Sequence, residues 1–186
     1  MASSKNSEGS AKERLLMAGG RVFRSGGFGG AGIDGLARTA GLTSGAFYAS
    51  FDSKAEAFEQ VVASGFVPLL SAIQTHQAEH GRRWLDAFVD FYLVERGRVD
   101  MCEACVLPTL SIDVARTKDS TRQVYQDQLS KVLDALAAGF RGDRKKERAL
   151  ALVSILVGAA LMARALPEGE LRQALLEAAR AAAKQV

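Results

Sequence analysis

The sequence predicts an all-α protein built from a small N-terminal helical head and a larger C-terminal helical body. Three observations carry this. Apolar residues recur at helical spacing, i, i+3, i+4, in segment after segment. The 186 residues contain only three prolines and few β-branched runs, so little in them favours strands. Residues 33–54, IDGLARTAGLTSGAFYASFDSK, read as two short helices joined by a tight turn.

This length suits one substantial core, or a small head fused to a larger one. An apolar fraction of 48% with 24% charged residues is that of an ordinary globular protein. The polar opening, MASSKNSEGS, lacks the apolar stretch of a secretion signal, and with two cysteines this predicts a reducing, cytoplasmic setting. The expected organisation is a disordered tail over 1–9, a head over 10–56 and a body over 57–186.

In the head, Ser10-x-x-Glu13 forms a capping box that opens the first helix. Leu15, Leu16, Val22 and Phe23 give its apolar stripe. Gly19 and Gly20 interrupt it at roughly 1 kcal/mol each relative to Ala, a cost expected to reflect close packing on the two short helices. Residues 25–32 are a glycine-dense connection. Ile33, Leu36 and Ala37 stripe the next helix, and Gly41 follows where a C-terminus wants a residue tolerant of positive φ. Thr43 offers a hydroxyl N-cap, after which Ala46, Phe47 and Phe51 form the next stripe. Helix, glycine turn and helix is the helix-turn-helix pattern, whose second helix enters the DNA major groove. Spacing alone fits an ordinary helical hairpin in a core equally well.

The residues themselves say more. Gly27-Phe28, Ile33-Asp34-Gly35-Leu36-Ala37, the run from Ala40-Gly41-Leu42-Thr43-Ser44 through Gly45-Ala46-Phe47-Tyr48, then Phe51 and Ser53-Lys54 resemble the DNA-binding region of the TetR (tetracycline repressor) family. The likeness spans about the first third of the chain. It implies an all-helical homodimer with a three-helix helix-turn-helix head and a ligand-binding and dimerisation body. The function it implies is transcriptional regulation, usually repression, at a palindromic double-stranded DNA operator that an unknown small-molecule effector makes the protein leave.

By that resemblance Thr43, Tyr48 and Lys54 fall on phosphate-binding positions, and Ser44 and Gly45 lie near base edges. Ser50 shares the outward face with Ser44, Gly45, Tyr48 and Ala49, while Phe47 and Phe51 point inward. Tyr48 has a physical case of its own, since an exposed phenol donates well to phosphate; the competing reading is a half-buried packing tyrosine. The chain departs from the family at Ala31 and Gly32, where hydroxyl residues are common, and at Ser44 and Ser50, where longer polar residues are usual. Short hydroxyls reach few base atoms.

Charge is distributed to match. Residues 1–54 hold seven Lys or Arg against four Asp or Glu, so the whole formal excess of +3 sits in that N-terminal segment.

In the body, Ser53-x-x-Glu56 is a second capping box, opening a long helix with Ala57, Phe58, Val61 and Val62 inside, which Pro68 kinks or restarts. A polar stretch, 74–83, is expected to close the hairpin. A helix over 83–95 carries Trp84, Phe88, Phe91 and Tyr92, and Gly97 and Asp100 break it. Residues 105–114 form an apolar helix with Pro108 in its first turn. Ser120-x-x-Gln123 is expected to cap a helix running to residue 140, which Gly142 ends. The segment 149–166 is the most apolar. Its length brushes that of a membrane span, but Arg164 and its Ala and Gly content favour a buried helix, and no membrane partner is expected. Pro167 stops it, and a last amphipathic helix runs through Leu171, Ala174, Leu175 and Ala178. A pair of this kind suits a four-helix interface across a two-fold axis; an intramolecular core fits the pattern as well, and the family resemblance favours the interface.

Little points to catalysis. No nucleophile triad, phosphate loop or dinucleotide fingerprint is present, so neither an enzyme nor a cofactor is expected. His76 and His80 stand at i, i+4 without a third ligand and read as a solvated helix face, not a metal site. Cys102-Glu-Ala-Cys105 has no second pair for zinc. Its readings are inert packed thiols or, as a different function, a redox- or electrophile-sensing switch in which a helix start lowers the Cys105 pKa. Candidate effector-pocket walls are Phe66, Trp84, Phe88, Tyr92, Met101 and Tyr125. An architectural DNA binder without an effector, or a helical interaction module without DNA binding, would also be compatible with a helical chain of this composition.

Overall fold

The structure is a computed structural model that describes residues 9–186; the expected disordered tail lies, but for Gly9, outside the described residues. Among them there are ten α-helices and no strand. The head consists of α1 (Ala11–Gly26), α2 (Ile33–Thr39) and α3 (Ser44–Tyr48). The body follows with α4 (Lys54–Gly65), α5 (Val67–His80), α6 (Trp84–Asp90), α7 (Val106–Ala115), α8 (Asp119–Gly139), α9 (Lys145–Ala165) and α10 (Glu170–Lys184).

Local chemistry starts the head helices where the sequence puts them. Ser10 Oγ accepts from the Glu13 N–H at 3.2 Å while Glu13 Oε2 accepts from the Ser10 N–H at 2.7 Å, a complete capping box. Gly41 turns the chain after α2 at φ 67°, a left-handed conformation that suits glycine. Thr43 Oγ1 then caps α3 by accepting from the Ala46 N–H at 3.3 Å. The glycines of α1 have a different reason from the expected one. A Cβ on Gly19 would stand 3.2 Å from Val61, so the close approach is to α4, not to α2 or α3. Phe23 meets Phe58 of α4 edge-on at 5.1 Å, which roots the head in the first body helix.

The body corrects several boundaries. Ser53 caps α4 through the Glu56 N–H at 3.1 Å, but Glu56 reaches back to Asp52 at 2.7 Å and not to Ser53, so the box is only half closed. Pro68 restarts the chain as α5. The stretch 74–83 is not a loop: α5 continues through His80, and the reversal is a 3₁₀ turn, Gly81–Arg83. His76 is no solvated face, since its ring lies 4.8 Å from Phe91 and 5.8 Å from Phe88. Trp84 fixes the other end of this hairpin by donating Nε1–H to the Gly139 carbonyl at 3.0 Å. After Asp90 the backbone loosens into a π-helical turn, Phe91–Glu95, and then short 3₁₀ turns. Ser120 does not cap α8. The helix has already begun at Asp119, which presents the buried Thr121 to Glu59 of α4 at 3.2 Å. Phe140 follows its last residue, and Gly142 lies in the turn beyond.

Helix α9 is long and apolar enough to cross a membrane by length and composition. One side of it, Leu152, Leu156, Ala159 and Ala163, is buried in the protomer core. Arg164 folds back to donate to the carbonyls of Val99 at 3.1 Å and Arg96 at 3.2 Å, closing the irregular segment. Helix α10 packs beside α9 through Leu176, Ala179 and Ala183. The stripe read from its sequence lies to one side of that face: Leu171, Ala174 and Ala178 are exposed and Leu175 is half-buried. Leu150, Leu161 and Met162 of α9 are exposed too, and Leu171 is 70% exposed.

Candidate nucleic-acid interface

Two buried rings hold α3 against the head. Phe47 and Phe51 lie 5.4 Å apart at 1% and 2% exposure. With that face committed, helical geometry sends the opposite face outward. Thr43, Gly45, Tyr48 and Ala49 are exposed, and Ser44, Ser50 and Lys54 are partly buried. Tyr48 is not a packing tyrosine: it leans edge-on against Phe47 at 5.7 Å but leaves 59% of its surface free.

The polar atoms of this face are already organised. Ser44 Oγ donates to Asp34 Oδ1 of α2. Ser50 Oγ donates to the Ala46 carbonyl at 3.0 Å. A hydroxyl that donates once keeps acceptor capacity, so both serines can still accept. The Lys54 Nζ sits 4.7 Å over the Phe28 ring, which holds the ammonium beside the head. Sequence reasoning missed three contributors. Asp34 orients Ser44. Arg14 donates to the Ala40 carbonyl at 2.8 Å and locks the turn between α2 and α3. Lys12 lies 5.3 Å over Phe51 and adds positive charge behind α3. Arg14 and Lys12 stand two residues apart near the start of α1, and only the fold brings Arg14 to the turn at Ala40 and Gly41 and Lys12 to Phe51.

The proposed pocket walls do not share one site. Phe66 is fully buried and Tyr125 meets it edge-on at 5.4 Å, with Tyr125 Oη 2.7 Å from Ser111 Oγ. Met101 is 41% exposed. Trp84 borders a depression beside Phe140, and Phe88 packs within the core. Tyr92 alone of the six borders the cavity of about 410 Å³ that opens between α1 and the body, together with Cys105.

Both cysteines are free thiols. The expectation of a lowered Cys105 pKa is overturned. Cys105 precedes the first residue of α7, but burial pushes its thiol up, and that outweighs the Tyr92 hydroxyl, the Leu107 backbone and the nearby Arg24 and Arg96, which all pull it down.

Comparison with known proteins agrees with this geometry. The sequence model of bacterial regulatory proteins of the tetR family matches residues 15–61, which spans α1 from its first buried leucine through most of α4. Among curated proteins none matches the chain. The reduced form of NemR from E. coli is similar in structure with a TM-score of 0.82, at 20% identity, over 96% of this chain and 97% of that one. A TetR-family regulator from Cytophaga hutchinsonii superimposes with a TM-score of 0.80, at 16% identity, over 97% and 98% of the two chains. A transcriptional regulator from Rhodococcus sp. RHA1 gives 0.74 at 23% identity, over 95% and 96%. The head thus matches the sequence pattern of the tetR family of bacterial regulatory proteins, and over nearly its whole length the chain has the fold of these regulators.

Proposed function

We propose that the protein is a cytoplasmic, dimeric repressor that binds a palindromic operator and leaves it when a small-molecule effector occupies the body. The observation that carries this reading is the outward edge of α3: Thr43, Gly45 and Tyr48 stand free on a short helix clamped from behind by Phe47 and Phe51. In this reading Thr43, Tyr48 and Lys54 bind phosphates. Ser44, Gly45 and Ser50 lie against base edges, where the free lone pairs of the two serines accept from exocyclic amino groups. The uncovered apolar stripes of α9 and α10 support a two-fold dimer, because a patch of this kind marks a surface that another chain covers. Two heads would then meet successive major grooves about 34–36 Å apart.

Release requires an effector that binds better to the head spacing that misfits DNA. The test is selection of bound sequences from a random duplex pool, followed by a screen for small molecules that free the selected duplex. Recovery of a palindrome with two half-sites supports the reading; recovery of no preferred sequence contradicts it.

A thiol-switch variant of this reading draws on NemR, a neighbour solved in a reduced form. Against it stands the buried environment that disfavours a Cys105 thiolate. If Cys105→Ser abolishes a peroxide- or quinone-dependent loss of DNA binding, the switch operates; an unchanged response dismisses it.

A further inference from the structure

The cavity of about 410 Å³ lies where head and body meet, and its polar lining comes from both. Arg24 reaches it from α1, and Tyr92, Arg96 and Cys105 from the body. Two of these groups are incompletely satisfied: Arg24 Nη1 donates to the Cys102 carbonyl at 3.5 Å, but its Nε and the Tyr92 hydroxyl are left over. Tyr92 is 4% exposed, and beyond the approach of the Cys105 thiol its hydroxyl meets no hydrogen-bond partner among the described residues. The buried Arg24 Nε is likewise unmet, and no carboxylate pairs with Arg24 among the described residues. Buried donors left unmet are costly, and native structures satisfy nearly all of them.

Arg24 lies where two glycines leave room. A Cβ on Gly20 would stand 3.1 Å from Arg24 Nη1, and one on Gly65 would stand 3.2 Å from Nη2 and 3.0 Å from Val106. The guanidinium therefore occupies a slot that two glycines leave open. Glu103, the acid in the lining, is engaged by Arg21, so it leaves Arg24 and Arg96 uncompensated. Burial depresses the Arg24 pKa and repulsion from Arg96 adds to this, the strain that a bound anion relieves. The unmet Arg24 Nε–H can only donate and the Tyr92 hydroxyl is able to donate, as an oxyanion requires, and a planar guanidinium suits a carboxylate. Pro68, Leu69 and Phe91 supply an apolar wall beside these donors.

We propose that this cavity binds a small aryl monocarboxylate, its carboxylate held by Arg24, Arg96 and Tyr92 and its ring laid on Pro68, Leu69 and Phe91. The volume falls in the range of small-molecule sites. Because Arg24 belongs to the DNA-binding head and the other contacts to the body, one bound anion grips both. Its effect on DNA rests on the proposed effector release; its binding does not.

The test uses the full chain with benzoate and phenylacetate as probes and benzamide as the uncharged counterpart, by titration calorimetry. Saturable binding of either carboxylate at one per protomer is expected, with benzamide at least about tenfold weaker. Tyr92→Phe and Arg96→Gln should each weaken carboxylate binding about tenfold. Arg24→Gln should do the same, and the other two variants decide the matter if it fails to fold. Absence of carboxylate binding, equal affinity for benzamide, or unchanged affinity in Tyr92→Phe and Arg96→Gln overturns the site. Carboxylate binding with this residue dependence but no change in DNA affinity leaves the site standing and overturns release through it.

Discussion

Asp113, on body helix α7, accepts a hydrogen bond from the Phe28 backbone N–H of the head at 2.9 Å. The Phe28 ring in turn packs 5.0 Å from Phe58 of α4 and carries the Lys54 ammonium on its face. One short loop thus joins α7, the start of α4 and the chain that enters α2. A shift of α7 against α4 has a direct route to the DNA-binding helices.

Asp113→Ala should strand the Phe28 N–H and cost about 1–3 kcal/mol, read as a lower urea midpoint with an unchanged slope. Asp113→Asn keeps an acceptor and should recover most of the loss. An alanine variant as stable as the parent would mean that the clasp contributes nothing.

Tyr48→Phe should leave stability within about 0.5 kcal/mol, because the phenol is mostly free of the protein. DNA affinity should fall about tenfold, equally for different sequences, because a phosphate contact carries no base information. Fluorescence anisotropy on two duplexes checks both parts. A loss confined to one sequence would assign Tyr48 to a base instead.

Leu175→Glu places a charge on the outward stripe of α10 and, across a two-fold axis, two like charges near each other. Sedimentation should then show monomers at concentrations where the parent is dimeric, with helical content unchanged. A variant that still sediments as a dimer would remove α10 from the interface.

Asp90 of α6 holds α10 through Arg180 Nε at 2.9 Å and Lys184 Nζ at 2.9 Å. Burial pushes its carboxyl up, but the bonds from Lys184 and Arg180 pull it down further and leave it below its ordinary value. A depressed carboxylate contributes stability that is whole above the ordinary aspartate pKa of about 4 and fades as pH falls through the lower folded value. The cluster is partly exposed, so the contribution is under about 1 kcal/mol in moderate salt. Asp90→Asn should lower the melting temperature slightly at pH 7 and flatten the acid limb of stability against pH. An acid limb as steep as the parent's would place the titrating group elsewhere.

The parts of this fold that the sequence made legible are those where cause and effect lie within one helical turn. Ser10 with Glu13, Gly41 and Thr43 act on residues three or four away, and each does what its position suggests. Ser120 shows the limit. It looks like a cap by the same local rule, yet the contact of Thr121 with Glu59, 62 residues away, accompanies a helix that starts earlier. The site divides the same way. The exposed edge of α3 followed from the spacing of Phe47 and Phe51, whereas the Asp34–Ser44 bond and the Asp113–Phe28 clasp join separate elements and leave no periodic trace. The stripe of α10 was visible in the sequence, but periodicity cannot say whether a stripe faces its own core or another chain.

The central claim, that α3 meets the phosphates and bases of duplex DNA, is tested most directly by titrating the full chain against its selected palindrome at several salt concentrations. With about 6–10 phosphates neutralised per dimer, log affinity should fall linearly with log salt at a slope of roughly −5 to −9, two protomers binding each duplex. Affinity that does not change with salt, or a single protomer saturating the palindrome, would contradict that claim.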